Sequence, residues 1–337
     1  MEVIDRDMVK TRTGLIIRSV GWAGIQSPYV EGYINYYPSV SGDRGTEGYR
    51  YARSNGSEDI KIDGHPCAVS YSPSLGAPVT RIPKKDIIDH YASKDRLPKA
   101  LSEIGRKSKL TRPDTVLVDI VSKITAHTSI AISDMGITGS YLPKLENENS
   151  DVDLILYDLS KLEELRDFIT KSGKFDTYDK DNFLEFMYER RKKIRPNLTK
   201  SAMLRQEAKK IQANLDGVHF NIQPIYTKVS PNGENLLFLE ELKPLCHIEA
   251  VVVNDIYATA SPSIYHVDVR KSLDAPLKKG DALAVFSATG IYSGSFSKGD
   301  HITCSGNLCL SRGKKNYVLC VDHWSKEMRK THGIHIV

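Results

Sequence analysis

The sequence of 337 residues lacks the segments that would place it in or across a membrane. No apolar run approaches the length of a bilayer-spanning helix, and residues 1–7 carry no hydrophobic secretory segment. Cysteine is also scarce, with five residues and no Cys-x-x-Cys pair. These absences predict a reduced, cytoplasmic protein that contacts no membrane and has no disulfide framework.

The few cysteines are spread along the chain, at Cys67, Cys246, Cys304, Cys309 and Cys320. The last three stand near His301 and His323, and such a group could hold zinc. Their surroundings are strand-like and apolar, however, which is typical of buried structural thiols. The sequence therefore favours buried thiols over a zinc site.

Common catalytic signatures are missing as well. The chain has no Gly-x-x-x-x-Gly-Lys-Ser/Thr phosphate loop, no Gly-x-Gly-x-x-Gly, no His-Glu-x-x-His and no Gly-x-Ser-x-Gly. The net charge of +5, from 47 basic and 42 acidic residues, permits a nucleic-acid partner without requiring one.

What is present is an acidic strand that follows a glycine turn. The apolar run from Val152 to Leu156 predicts a short buried strand. Asp151 and Asp153 are separated by one residue, so both carboxylates project from one face of that strand. Two like charges this close repel unless a cation lies between them, and their hard oxygen ligands suit Mg²⁺.

The turn before the strand suggests a second ligand. Gly139 lets the backbone approach a ligand closely, and the Ser140 hydroxyl can meet a phosphate oxygen. A turn that holds phosphate beside a metal-binding acid pair indicates phosphoryl or nucleotidyl transfer.

These residues also carry a family resemblance. Ile137-Thr-Gly139-Ser140, a spacer, and then Ser150-Asp151-Val152-Asp153-Leu154-Ile155 resemble the DNA polymerase β-like nucleotidyltransferase superfamily. The resemblance implies that Asp151 and Asp153 are catalytic and hold Mg²⁺ or Mn²⁺. It implies that Gly139 and Ser140 hold the β and γ phosphates of a nucleoside triphosphate. The whole-chain arrangement is similar to that of archaeal proteins predicted to be nucleotidyltransferases.

The chain departs from the superfamily at one position. Its members usually place a third carboxylate on a neighbouring strand, where this sequence has His219 or Asn221. Neither residue is an acid, and Asp216 is a nearby residue that could replace the missing third carboxylate. The missing acid puts catalysis in doubt more than it does the fold.

The remaining pattern predicts an α/β multidomain protein. Residues 1–83 form an N-terminal β-rich domain and residues 84–112 a basic connector over the surface. Residues 113–228 form the polymerase β-like nucleotidyltransferase core. Residues 229–337 form a C-terminal OB-like β-barrel, with short strands separated by turns.

Two helices are predicted inside the core segment. Pro113 and Asp114 indicate the start of the first. The second begins near Thr199 and has an apolar face formed by Leu204, Ala208, Ile211 and Leu215. The basic residues 190–195 before it either steer a triphosphate or nucleic-acid backbone or form a solvated surface.

The sequence thus predicts a Mg²⁺-dependent nucleotidyltransferase that moves a nucleoside monophosphate from a nucleoside triphosphate to an acceptor hydroxyl. RNA and DNA are candidate partners that could carry the acceptor. The alternative is a catalytically impaired protein that keeps affinity for nucleotide or nucleic acid.

Overall fold

The computed structural model describes most of the chain. The described residues are 1–21, 23–46, 49–54, 61–62, 65–66, 69–177, 181–192, 199–207, 210–227, 239–273, 277–311, 316–322 and 328–336. Cys67, Ala208, His323 and positions 193–195 of the basic cluster, all named in the sequence predictions, lie outside these ranges.

The predicted α/β fold class, with a polymerase β-like core, is wrong. The structure is mostly β, with 42% strand and 25% helix arranged in three main sheets, one of which is a five-strand closed barrel. The α/β class rests on the helix–strand alternation of residues 113–228, although residues 1–83 and 229–337 are predicted as β-rich. The segments on either side fold almost entirely as strands, because β-branched and aromatic runs dominate them.

The N-terminal sheet has the strand order β10-β1-β2-β3-β5-β4, and β9 pairs with both β3 and β8. Its elements are β1 (Met8–Thr11), β2 (Ile16–Ser19), α1 (Ala23–Gln26), β3 (Tyr29–Pro38), β4 (Arg44–Thr46), β5 (Tyr49–Arg53), β6 (Lys61–Ile62), β7 (His65–Pro66), β8 (Val69–Ser72), β9 (Ala77–Pro83) and β10 (Ile87–Tyr91). Strands β6 and β7 pair only with each other.

Both faces of the N-terminal sheet are apolar near β1 and β2. One face packs Val9, Ile17 and Ile34 into a local core. The opposite face packs residues such as Met8 and Ile16 against the loop residues Leu142 and Leu145. This second contact fixes the sheet against the segment that precedes the acid pair.

The central sheet has the order β11-β12-β14-β13, with β11 (Met135–Ile137), β12 (Val152–Leu156), β13 (Ile211–Leu215) and β14 (Val218–Pro224). Strands β12 and β14 are parallel, and the other two pairs are antiparallel. Three helices, α2 (Ser93–Ile104), α3 (Arg112–His127) and α4 (Leu162–Lys171), bury their apolar stripes with the apolar side chains of these strands.

Two helix predictions have different outcomes. The start at Pro113 is confirmed, because α3 begins at Arg112 with a capping box between Thr111 and Asp114. The helix predicted from Thr199 is too long. Helix α6 (Lys200–Glu207), which follows α5 (Asp181–Lys192), ends at Glu207, and Ile211 and Leu215 lie in strand β13.

Residues 84–112, predicted as a basic connector over the surface, contain β10 and α2. Leu97 and Ile104 of α2 are buried in the central core.

The C-terminal sheet closes into a barrel through the order β15-β16-β17-β19-β18 and back to β15, with β20 added on β18. Its elements are β15 (Leu239–Asn254), β16 (Ser263–Ser272), β17 (Ala282–Ser287), β18 (His301–Ser311), β19 (Tyr317–Cys320), α7 (Met328–Thr331) and β20 (Gly333–Ile336). Strands β17 and β19 are parallel, so the barrel is not purely antiparallel.

The N-terminal sheet and the barrel share a buried interface. Val20, Leu75 and Val79 pack in one apolar cluster with barrel residues that include Phe286 and Val318. Polar contacts reinforce it: the side chain of Arg6 donates to the Ser261 hydroxyl at 3.0 Å and to the Thr289 carbonyl at 2.7 Å. The site described next lies where the N-terminal sheet meets the central sheet.

Candidate functional site

The acid pair lies on the predicted strand, β12. Val152 and Leu154 are fully buried in the core shared with the helices, whereas Asp151 and Asp153 are half-buried. Because side chains alternate along a strand, Asp153 projects from the face opposite that core, and Asp151 directly precedes the strand. That both carboxylates project from one strand face stays a prediction.

Gly139 places its backbone directly against Asp153. Its φ of +65° lies in the left-handed region, and a Cβ at this position would collide with the Asp153 carboxylate. The preceding Thr138 N–H donates to the Asp153 carbonyl at 2.9 Å, which fixes the turn to the strand. Only glycine permits this approach without strain.

The Ser140 hydroxyl holds the loop that leads into the acid pair. It is buried and donates to the Ser150 hydroxyl at 3.1 Å, while the Ser140 carbonyl accepts from the Leu145 N–H at 2.8 Å. Arg44 of the N-terminal sheet clamps the same loop, with donor distances of 2.7 Å to the Leu145 carbonyl and 3.2 Å to Ser150 Oγ. Contact between Ser140 and a phosphate stays a prediction.

The position beside Asp153 is occupied by an amide. In the parallel β12–β14 pair, Asn221 is the register partner of Asp153, and His219 is two residues earlier on β14. His219 is buried and its ring lies 6.1 Å from that of Phe186, centroid to centroid. Asp216 lies in the exposed two-residue turn between β13 and β14 with φ of +48°, which is typical of an Asp-Gly hairpin turn.

A buried acid that the sequence did not single out lies one strand further away. Glu207 is fully buried, and its Oε2 accepts from Gln212 Nε2 at 2.8 Å. Gln212 is the register partner of Asn221 on β13, and Lys210 pairs with Glu207 Oε1 at 2.9 Å. Nothing local in the sequence marks Glu207, because its connection to Asn221 runs through Gln212 and depends on the pairing of β13 with β14.

Basic and aromatic side chains of the N-terminal sheet surround the acid pair. Burial raises the pKa of Tyr36 on β3, and Arg44 and Arg53 oppose that shift. Asp153 and Asp151 act in the same direction as burial, so both carboxylates lie close to this phenol. Sequence reasoning missed this surface, because its strands are distant in sequence from the acid pair.

A cleft opens between the central sheet and the barrel, next to Asn221. Its volume is about 300 Å³, including its open mouth. Lys210, Asn221 and Gln223 line it from the sheet, and Thr259 and Ser293 line it from the barrel.

The donor set of the acid pair fits a hard divalent cation. Mg²⁺ in proteins is usually held by one or two carboxylates, with water and substrate phosphates as further ligands. Within the described ranges, no group of three or more His, Cys, Asp or Glu side chains could hold a metal ion. A cation at Asp151 and Asp153 would therefore complete its coordination with water and substrate.

The C-terminal cysteines are buried thiols, as predicted. Cys246, Cys304, Cys309 and Cys320 are free and buried. Burial raises the pKa of the Cys304 thiol, and a hydrogen bond with Cys309, ahead of burial, raises that of Cys320.

Comparison with known proteins gives one distant relative and no function. An uncharacterized protein of Methanocaldococcus jannaschii is 25% identical over 183 residues, which cover 53% of this chain and 51% of the relative. The chain thus matches about half the length of that relative. No family model and no solved structure matches the chain.

In the part of the chain that the structure describes, no helix is both long enough and apolar enough to cross a bilayer.

Proposed function

We propose that this protein is a Mg²⁺-dependent nucleotidyltransferase, which transfers a nucleoside monophosphate from a nucleoside triphosphate to an acceptor hydroxyl. The proposal rests on the local site and not on the fold class. The observation that carries it is the Gly139 backbone held against the Asp153 carboxylate, with Asp151 directly before the same strand. This combination of a close backbone approach and paired carboxylates suits a metal-bound polyphosphate.

Asp151 and Asp153 would hold Mg²⁺, or Mn²⁺ in its place. When bound, the cation supplies positive charge that stabilises the charge developing on the transferred phosphoryl group. The turn at Gly139 and Ser140 would position the β and γ phosphates. The burial of Ser140 restricts its contribution to the backbone unless its hydroxyl leaves Ser150.

Asn221 limits the expected rate. An amide beside Asp153 brings no negative charge and cannot accept a proton from the acceptor hydroxyl. General-base assistance typically contributes about two to four orders of magnitude in rate. We therefore expect triphosphate binding with slow transfer.

Metal-dependent binding tests the assignment of the acid pair. The double variant Asp151→Asn, Asp153→Asn should lose Mn²⁺-dependent binding of a nucleoside triphosphate in calorimetry, while its far-UV circular dichroism stays unchanged. Asp167→Asn is the matched control, because Asp167 is exposed on α4 and pairs only with Lys171. Equal metal–nucleotide affinity in the double variant and the wild type would remove the acid pair from the site.

A second candidate function is nucleotide or nucleic-acid binding without turnover, and Asn221 favours it. The variant Asn221→Asp restores a carboxylate of nearly the same shape beside Asp153. Under the transferase proposal, transfer should rise in this variant while triphosphate affinity changes little. Asn214→Asp, on β13, provides an added acid that is not beside Asp153.

If Asn221→Asp leaves the protein inactive with every triphosphate and with mixed RNA and DNA acceptors, the binding function is the better account. If the wild-type protein already transfers quickly and Asn221→Asp does not change its rate, the third carboxylate of the site does not belong at position 221.

A further inference from the structure

Arg18 lies on the face of the N-terminal sheet that packs toward the acid pair. It is the register partner of Met8, and Ile16 is two residues earlier on the same strand and face. Met8 and Ile16 are buried against Leu142 in the apolar contact with the central unit. Arg18 therefore brings a positive charge to an otherwise apolar contact surface, where a hydrophobic side chain would be expected.

The Arg18 guanidinium is held in place but incompletely satisfied. Its Cζ lies 5.5 Å from the centroid of the Tyr33 ring, and the side chain is partly exposed. Its Nε is sealed from solvent and has no hydrogen-bond acceptor in the structure. A buried N–H without an acceptor is costly and calls for a ligand or another explanation.

Arg81 on the same sheet shows the contrasting case. It also stacks on a tyrosine of β3, with its Cζ 4.5 Å from the Tyr29 ring centroid. Its Nε, however, donates to Glu31 Oε1 at 2.6 Å. Arg81 thus forms a structural ion pair, whereas Arg18 has similar stacking but an Nε without a hydrogen-bond acceptor among the residues that the structure describes.

Charges of both signs lie near Arg18, and Asp5 is a second carboxylate that favours its charged form. Burial lowers the pKa of Arg18 to about 10, and neighbouring Arg6 contributes in the same direction. Arg6 donates to Ser261 and Thr289, and its Nε lies 3.7 Å from Asp5 Oδ2, so it adds positive charge near Arg18. Asp153 favours the charged form of Arg18, which puts the guanidinium within electrostatic range of the acid pair.

We propose that Arg18 is the polyphosphate receptor of the site: it binds a phosphate group of the nucleoside triphosphate whose metal lies at Asp151 and Asp153. The identity of the ligand rests on the proposed function, whereas the existence of an anion site does not. An arginine presents planar paired donors that match phosphate oxygens. A terminal phosphate suits this half-buried position, because a phosphodiester would have to bring a sugar on each side.

Inorganic tripolyphosphate, with and without Mn²⁺, tests the receptor by calorimetry and thermal unfolding. Arg18→Met should bind metal-free tripolyphosphate about tenfold to a hundredfold more weakly than the wild type, as expected for the loss of charge-assisted hydrogen bonds. Arg81→Met is the matched control and should keep wild-type affinity. The double variant at Asp151 and Asp153 should keep metal-free binding and lose only the increase caused by Mn²⁺.

Stability gives an independent readout. Without ligand, Arg18→Met should be at least as stable as the wild type, because it removes a buried donor that lacks an acceptor. Arg81→Met should be less stable. If Arg18→Met does not fold, Arg18→Lys should fold and bind tripolyphosphate with reduced affinity, because lysine keeps the charge but not the planar pair of donors.

Unchanged tripolyphosphate affinity in the Arg18 variants would overturn the inference, whether or not the protein transfers nucleotides. Arg18-dependent binding of a short single-stranded oligonucleotide, with no such dependence for tripolyphosphate, would also overturn it. Conversely, Arg18-dependent anion binding in a protein without transfer activity would support the receptor and reject the proposed function.

Discussion

Replacing Gly139 with alanine should damage the site for two separable reasons. The first is backbone strain, because φ at Gly139 is +65° and a left-handed conformation costs a non-glycine residue about 1–2 kcal/mol. The second is a collision between the new Cβ and the Asp153 carboxylate. Overpacking of this kind typically costs about 1–3 kcal/mol, so the total loss should be about 2–5 kcal/mol.

Gly173 provides the matched control for the strain alone. Its φ is +68°, and a Cβ there would meet no atom within 4 Å. Gly173→Ala should therefore lose only about 1–2 kcal/mol. Urea unfolding of both variants gives the difference, which isolates the contact with Asp153. Calorimetry should then show weaker Mn²⁺–triphosphate binding in Gly139→Ala and wild-type binding in Gly173→Ala. Equal stability losses in the two variants, with metal binding intact in both, would refute the close approach of Gly139 to Asp153.

Three further predictions concern stability. Burial lowers the pKa of His332 to about 4. The unfolded chain therefore binds a proton at His332 below pH 6.5 that the folded chain does not, so stability should fall by about 3 kcal/mol as the pH decreases from 6.5 to 4. His332→Gln should flatten that dependence in denaturant unfolding, and an unchanged pH profile would contradict it. A Cβ on Gly76 would collide with Cys320 Sγ, so Gly76→Ala should lower the free energy of unfolding less in a Cys320→Ala background than in the wild type. Additive losses in a double-mutant cycle would argue against this contact. Thr111→Ala should lower the free energy of unfolding by about 1 kcal/mol through loss of the α3 cap. Thr115→Ala, on an exposed turn of the same helix, should change stability very little in thermal unfolding. Equal losses in the two variants would show that the cap does not stabilise the helix.

The parts of the site that could be predicted from sequence are those set by local geometry. The alternation of a strand predicts Asp151 and Asp153 on one face, whatever the rest of the fold. A glycine before such a strand is a local backbone signal, and Gly139 has the left-handed φ that only glycine adopts freely. The cap and proline at the start of α3 are similarly local.

Strand β13 shows why a local pattern misled the helix prediction. Ile211 and Leu215 are four residues apart, which matches one face of a helix and equally one face of a strand. Pairing with β14 decides between the two, and that pairing is not visible in the segment itself. Likewise, the many charged residues in 84–112 led to the prediction of a surface connector, although Leu97 and Ile104 are buried.

The basic surface around the acid pair could not be predicted, because its parts are distant in sequence. Arg18 and Arg44 reach the site only through the packing of Met8, Ile16 and Tyr36 on Leu142. Nothing in the sequence indicates that Arg18 stacks on Tyr33. Long-range contacts of this kind need a fold before they can be inferred.

The central claim is nucleotidyl transfer at the acid pair, and transfer of an α-phosphate label tests it most directly. The protein would be incubated with each α-labelled nucleoside triphosphate, Mg²⁺ or Mn²⁺, and mixed RNA and DNA acceptors. The account predicts slow label transfer with release of pyrophosphate, faster transfer by Asn221→Asp, and none by the double variant Asp151→Asn, Asp153→Asn. Transfer that persists in the double variant, or label that never leaves the triphosphate even with Asn221→Asp, would contradict it.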